Sequence, residues 1–393
     1  VAEFSFDLLR RRPDVEAPNL FAVDASDRLI LDEAAEALAS AKPGEVAVLG
    51  DRYGALTLGA AALHGATGIR VYQDALVGER ALDRNAAEQG FGGAYTSHPL
   101  DAGLLDGARV VLLQLPRSLA ELGEWAEAIA RLASPDVVVV AGGRIKHMTL
   151  AMNEVLAGSF GRVDVGRARQ KSRTLTATLP RTAAATAGYP VRREVSAPEL
   201  PGGRATVVAH GGAFAGAALD IGTRFLLGFV AEMGVPSTDS AGRPRGRTAH
   251  DAIDLGSGTG LLAVALAATH PELRVVAIDS SRAAVASTTA TAEANGAADR
   301  IVAVREDALF ERPDESADLI VCNPPFHSGA TVQAEVALRL LEDAGRVLRP
   351  GGELWTVFNT HLAYRDALVR MVGPTNVAGR GDKFTVTVSR KPV

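Results

Sequence analysis

At 393 residues, 47% of them hydrophobic, the chain is long enough for two domains with substantial cores. Its net charge of −5 gives no general affinity for nucleic acid, and its single cysteine, Cys322, excludes an intrachain disulfide and suits a reducing, cytoplasmic setting. No apolar run is long enough to cross a bilayer, there is no secretory signal, and no HExxH, CxxC or histidine cluster points to a metal.

In chain order, the first clear element is the strand Glu45-Val-Ala-Val-Leu49, which leads into Gly50-Asp-Arg-Tyr-Gly54 and a helix. The strand Ile69-Arg-Val-Tyr-Gln73 follows, then Asp74 and a helix ending Ala86-Ala-Glu-Gln-Gly90. Further on, Gln114-Leu-Pro-Arg117 closes another apolar run. Alternating strand and helix patterns of this kind predict a parallel sheet covered on both faces.

From Arg162 to Arg193 eight cations (Arg162, Arg167, Arg169, Lys171, Arg173, Arg181, Arg192, Arg193) face one anion, Asp164. A second basic cluster is Arg243-Pro-Arg-Gly-Arg247. Either run suits phosphate contact, and either equally suits an ordinary solvated face. Thr182-Ala-Ala-Ala-Thr-Ala-Gly-Tyr-Pro190 reads as an interdomain linker, giving domains 1–183 and 184–393, and 237–246 reads as a surface loop.

The second half repeats the first. It runs strand 250–255, glycine loop, helix 260–270, strand 273–278, Asp279, helix 281–295, strand 301–305, Asp307 and strand 317–322. Ala292-Glu-Ala-Asn-Gly296 matches 86–90. Gly50 to Asp74 spans 24 residues and Gly256 to Asp279 spans 23. The first copy has Arg52 where the second has Gly258, a side chain expected to fill the space a cofactor needs.

Asp254-Leu-Gly-Ser-Gly-Thr-Gly260 ends a hydrophobic strand and opens a helix whose early turns leave the main chain bare, room for a nucleoside cofactor. Asp279, at the end of the next strand, is placed to accept from ribose hydroxyls, with Ser280 beside it. Asp307, followed by Ala308, could accept from an adenine amino group. No Walker-type lysine follows the loop. Asn323-Pro-Pro-Phe326 comes 63 residues after Gly260 and ends the strand Ala317–Cys322. In an open parallel sheet this carboxyl edge is where ligands bind.

Together the two motifs resemble class I S-adenosylmethionine (SAM) methyltransferases that modify an exocyclic or side-chain amide nitrogen. Adenine-N6 methyltransferases, glutamine methyltransferases of release factors and guanine-N2 rRNA methyltransferases all carry them. Asn323-Pro-Pro-Phe-His-Ser-Gly329, Ala218-Leu-Asp-Ile-Gly-Thr-Arg-Phe-Leu-Leu227 and Asn359-Thr-His-Leu-Ala-Tyr364 resemble the RsmC/RlmG type of the last group. The resemblance implies an α/β fold of two tandem Rossmann-like domains, with mostly parallel seven-stranded sheets flanked by helices. The first would be degenerate and contact substrate; the second would be catalytic.

Carried over, Asp254, Gly256, Ser257, Gly258, Gly260, Asp279, Ser280, Asp307, Ala308 and Asn323 would bind SAM. Asn323, Pro324, Pro325 and Phe326 would hold a flipped guanine of ribosomal RNA, free or in a subunit. A delocalised amine is a poor nucleophile, and acceptors on both of its N–H groups help it present a lone pair. Asn323 Oδ1 and the Pro324 carbonyl suit that task, and Phe326 offers a stacking face. His327 is a weaker substrate contact, and Cys322 reads as a small buried strand residue. The resemblance also implies a cytoplasmic monomer. Protein glutamine-N5 and adenine-N6 methylation remain as alternatives, as does a non-catalytic RNA-binding factor.

Overall fold

The computed structural model describes residues 4–181, 188–238, 244–245, 247–324, 331–362 and 364–393. Its contacts divide the chain into two units, Val1–Tyr189 and Pro190–Val393. The division falls six residues beyond the 183/184 expectation, because Gly188 N–H donates to both carboxylate oxygens of Glu127 in the first unit, at 3.0 and 2.9 Å.

In the first unit, β1 (Val46–Leu49), β2 (Ile69–Tyr72), β3 (Tyr95–Ser97), β4 (Val110–Gln114), β5 (Val138–Arg144), β6 (Phe160–Val165) and β7 (Ser172–Pro180) form one sheet. Its order is β3-β2-β1-β4-β5-β7-β6, with only β7 antiparallel to its neighbours. The second unit opens with a two-stranded ladder, β8 (Val191–Ser196) and β9 (Arg204–Ala209). Residues 237–246, read as a loop, contain the short pair β10 (Ser237–Thr238) and β11 (Pro244–Arg245).

The second large sheet comprises β12 (Asp251–Leu255), β13 (Arg274–Asp279), β14 (Ile301–Arg305), β15 (Ala317–Cys322), β16 (Leu348–Asn359), β17 (Thr375–Arg380) and β18 (Phe384–Arg390). The order β14-β13-β12-β15-β16-β18-β17 repeats the first sheet position for position. β15 is central and buried on both faces, so its residues are apolar apart from Asp318, whose buried carboxylate pairs with Arg247 and Arg349. The helix Leu261–Thr269 has no polar face, and Leu261 through Ala267 are all buried between the sheet and Leu226, Leu227 and Val230. A second core on the opposite face joins Ile253, Leu255 and Ile320 to Leu341, Val347 and Leu368.

A polar stripe on the helix Arg282–Ala294 and its C-cap Asn295 holds the outer edge of β9. Ser287 Oγ accepts from His210 N–H at 2.9 Å, and Thr291 Oγ1 accepts from Val208 N–H and donates to its carbonyl. Asn295 bonds both main-chain groups of Thr206. The match is geometric: four helical residues rise about 6 Å and two strand residues about 6.6 Å. The first unit uses the corresponding positions. There Asn85 bonds Arg10 N–H and carbonyl, and Gln89 accepts from Ser5 N–H.

Thr291→Val keeps the shape but leaves two main-chain groups of Val208 unpaired. Denaturant unfolding of the second unit should show a loss of roughly 2–4 kcal/mol, recovered by Thr291→Ser. An unchanged transition would mean that water replaces the hydroxyl at no cost.

Candidate active site

Strand order reverses between β12 and β15, so the connections leaving their carboxyl ends cover opposite faces of the sheet and open a crevice. A cavity of about 460 Å³ lies there, within the size range of small-molecule sites. Gly256, Ser257, Gly258, Asp279, Ser280, Asp307, Ala308, Asn323 and Pro324 line it. Pro325, Phe326 and His327 lie outside the described residues.

The glycine loop folds back on β13, with Gly256 and Ser257 N–H groups both donating to the Ile278 carbonyl. Gly258 has φ +55°, and a Cβ built on it meets nothing within 4 Å, so the loop faces open space. Gly260 is different. A Cβ there would stand 2.7 Å from Thr288 Cγ2, so this glycine permits helix packing and does not line the cavity.

Asp254 also lies behind the wall, 1% exposed, where Oδ2 accepts from Ala263 N–H at 3.1 Å and holds the first turn of the helix. Burial, reinforced by the charge of Asp279 and opposed by that hydrogen bond, pushes its pKa up to about 7. Oδ1 of this carboxyl has no partner. Burial likewise pushes the Cys322 thiol up, with Asp254 adding to the effect, so it is no thiolate nucleophile.

Asp279 accepts from Gly258 N–H through Oδ2 at 3.0 Å and from Ser281 N–H through Oδ1 at 2.9 Å, tying the loop to the next helix. Ser281, not Asp279, caps that helix by accepting from Ala284 N–H. Asp307 Oδ1 receives Arg339 Nη2 at 2.7 Å. Ala308 follows with φ +55°, a rare conformation for a side-chain-bearing residue, and one that recurs at ligand sites. Among the described residues, the carboxylates of Asp220, Asp279 and Asp307 line the cavity with Arg339 as the lining cation; Glu306 borders it but its buried side chain is paired with Arg312.

Asn323 Nδ2 donates to Asp220 Oδ2 at 3.1 Å and to Thr223 Oγ1 at 2.9 Å. A carboxylate only accepts, so the amide nitrogen must face Asp220, which leaves Oδ1 as the free acceptor. Asp220 is also the N-cap of the helix Ile221–Leu227, accepting from Thr223 N–H. Asp220, Thr223, Arg339 and Phe384 were missed as site residues. Only Asp220 had a local signal, that of an N-cap before an apolar run.

The first unit keeps this framework and closes the crevice. Gln114 stands in place of Asn323 and donates to Ser26 Oγ and Asp27 Oδ1 at the start of the helix Ala25–Glu33. Arg52 is exposed and does not fill the crevice, contrary to expectation. The filler is Trp125, 3% exposed, whose ring lies 3.0 Å from a Cβ built on Gly50 and packs edge-on against Tyr72 at 5.9 Å. Among the described residues no group of three or more acids, histidines or cysteines is arranged to hold a metal, and no helix is long and apolar enough to cross a membrane.

Known proteins bear on this geometry. The methyltransferase small domain matches residues 204–388, and the RLMG N-terminal domain matches residues 2–181. The ribosomal RNA large subunit methyltransferase G of Streptomyces avermitilis is 34% identical over 96% of this chain and 95% of its own. That of Pseudomonas entomophila is 32% identical over 98% and 97%. Among solved structures, the Thermus thermophilus 16S rRNA N2 G1207 methyltransferase RsmC, in complex with AdoMet and guanosine, superposes with a TM-score of 0.70. It is 23% identical, over 96% of this chain and 97% of that one, and shares the two-domain fold. By its two domain matches and its full-length relatives, the chain belongs to the ribosomal RNA large subunit methyltransferase G family.

Proposed function

We propose that this chain transfers a methyl group from SAM to the exocyclic N2 amine of a guanine in ribosomal RNA, acting as a cytoplasmic monomer. The observation that carries this reading is the fixed orientation of Asn323, whose Oδ1 is left as an acceptor beside an acid-lined cavity.

The residues suit the cofactor. Open space in front of Gly256 and Gly258 admits a nucleoside against the main chain, and the lining carboxylates Asp220, Asp279 and Asp307, with Arg339 on Asp307, favour a cationic ligand over a phosphorylated one. Asp279 would hold the ribose hydroxyls and Asp307 the adenine amino group, with Ser257, Ser280 and Ala308 shaping the walls. Asp254 acts from behind the wall through the helix it caps. When bound, SAM supplies an activated methyl group on a sulfonium.

Asn323 Oδ1 and the Pro324 carbonyl accept the two N–H groups of the target amine and orient its lone pair. By the family resemblance Pro325 would hold that carbonyl in place and Phe326 would stack on the flipped base, both lying outside the described residues. Positioning provides most of the effect, and no strong base is required.

The first domain is proposed to contact RNA. Within the 162–193 run Arg162 pairs with Asp164 and Arg169 with Asp32, and Arg192 and Arg193 belong to β8 of the other unit. Arg167 and Lys171 at the β6–β7 turn stay exposed. Arg243 and the side chain of Arg245 lie outside the described residues, and Arg247 pairs with Asp318.

Asn323→Ala should leave SAM affinity nearly unchanged and lower turnover by roughly 2.7–4 kcal/mol in barrier, by analogy with an oxyanion-hole donor. Near-normal turnover would remove Asn323 from the mechanism. Methyl incorporation into rRNA, set against protein, separates the guanine reading from glutamine methylation, and nucleoside analysis of the product separates it from adenine-N6. Calorimetry should give one SAM per chain, and Gly258→Arg should abolish binding; a stoichiometry of two would contradict the closure of the first crevice by Trp125.

A further inference from the structure

The carboxyl edge of the first sheet gathers exposed cations, with Asp74, Glu121 and Glu124 after β2 and β4 as the neighbouring acids. β1, β4 and β5 lie side by side and run parallel, so the loops after them open at one edge. Those loops deliver Arg52, Arg117, Arg144, Lys146 and His147. β7 begins opposite the end of β5, with Arg144 beside Ser172, and Ile145 N–H donates to the Lys171 carbonyl at 3.0 Å. The β6–β7 turn, with Arg167 and Lys171, therefore stands at the same edge.

Arg52, Arg117, Lys146 and Lys171 are exposed and have no ion pair among the described residues. Arg144 sits 3.7 Å from Asp24, a loose contact. Slight burial and the charges of Arg117, Lys146, Arg52 and Arg144 hold His147 below the ordinary histidine pKa, so these four cations act on one imidazole. Of the acids here, burial pushes Asp27 up to about 8 and, helped by the charges of Asp74 and Glu124, pushes Glu121 up to about 7, which reduces their negative charge at neutral pH. Behind this rim Trp125 and Tyr72 occupy the space a nucleoside would need.

We propose that this edge binds the phosphodiester backbone of RNA, so that the first domain grips substrate at the sheet edge where its counterpart performs chemistry. The proposal rests on the RNA reading above and adds the site. Exposed cations projecting from separate loops suit a chain of phosphates, each contact releasing counterions. At two of the positions the second half has Gly258 and Phe326 in place of Arg52 and Arg117. The exchange converts a cofactor and base site into a charged rim.

The test uses the full chain and rRNA extracted from cells lacking it. Arg52→Glu/Arg117→Glu/Lys146→Glu is compared with Lys42→Glu/Arg109→Glu/Arg131→Glu, an equal charge change at the opposite, amino edge of the same sheet. The edge variant should bind RNA tenfold or more weakly, with a log–log salt slope shallower by about 2, while the control keeps the parent slope. KM for RNA should rise while kcat at saturating RNA and SAM stoichiometry hold, a split that misfolding does not produce. The glutamine triple variant should shift in the same direction by less. If the parent methylates rRNA and the edge variant binds like the control, the edge proposal falls and the RNA reading stands. If the parent neither binds nor methylates rRNA, both fall.

Discussion

The site depends on one constraint: β12 and β15 are parallel neighbours whose onward connections must leave on opposite faces. Neither connection covers the gap between them, so in the second half the polar groups delivered to the carboxyl edge there stay reachable. The chain answers with glycines on one side and a fixed amide on the other. Asp279 bonds Gly258 and Ser281, Thr288 bonds Ser257, and Asp220 with Thr223 sets Asn323. Each bond holds a loop that a close-packed wall would otherwise have to support.

The two halves show which parts of that arrangement are architectural. Asn85 and Gln89 restrain the segment before the first sheet, as Thr291 and Asn295 restrain β9. Gln114 grips the helix Ala25–Glu33 much as Asn323 grips Ile221–Leu227. An amide at this position therefore has a structural task in both halves, and in the second its oxygen is left over for another. What differs between the halves is the space: a ring in one, a void in the other.

Much of the fold was legible because its signals are local. The strands 301–305 and 317–322 match the sequence pattern to the residue, and the other expected elements of the second half differ by one residue at one or both ends. The glycine loop and Asp279 were readable because their spacing is fixed by one βαβ turn. The partners of Asn323 were not, since they lie 103 and 100 residues away and only the folded sheet brings them near. Trp125 escaped for the same reason, which left Arg52 as the expected occluder. Of the basic run, two cations pair with acids and two belong to the second unit, whereas Arg52, Arg117 and Lys146 follow three neighbouring strands of one sheet.

The ring of Trp125 has a thermodynamic consequence. A half that fills its own crevice carries its full packing energy whatever the solution contains. The other half forgoes contacts around a void of about 460 Å³, and recovers them only through mass action as an occupant binds its native state. One chain thus joins a unit whose crevice is packed from within to a unit that an occupant of its cavity would stabilise further. Such an occupant would act on the unfolding of the second unit and leave the packing around Trp125 as it is.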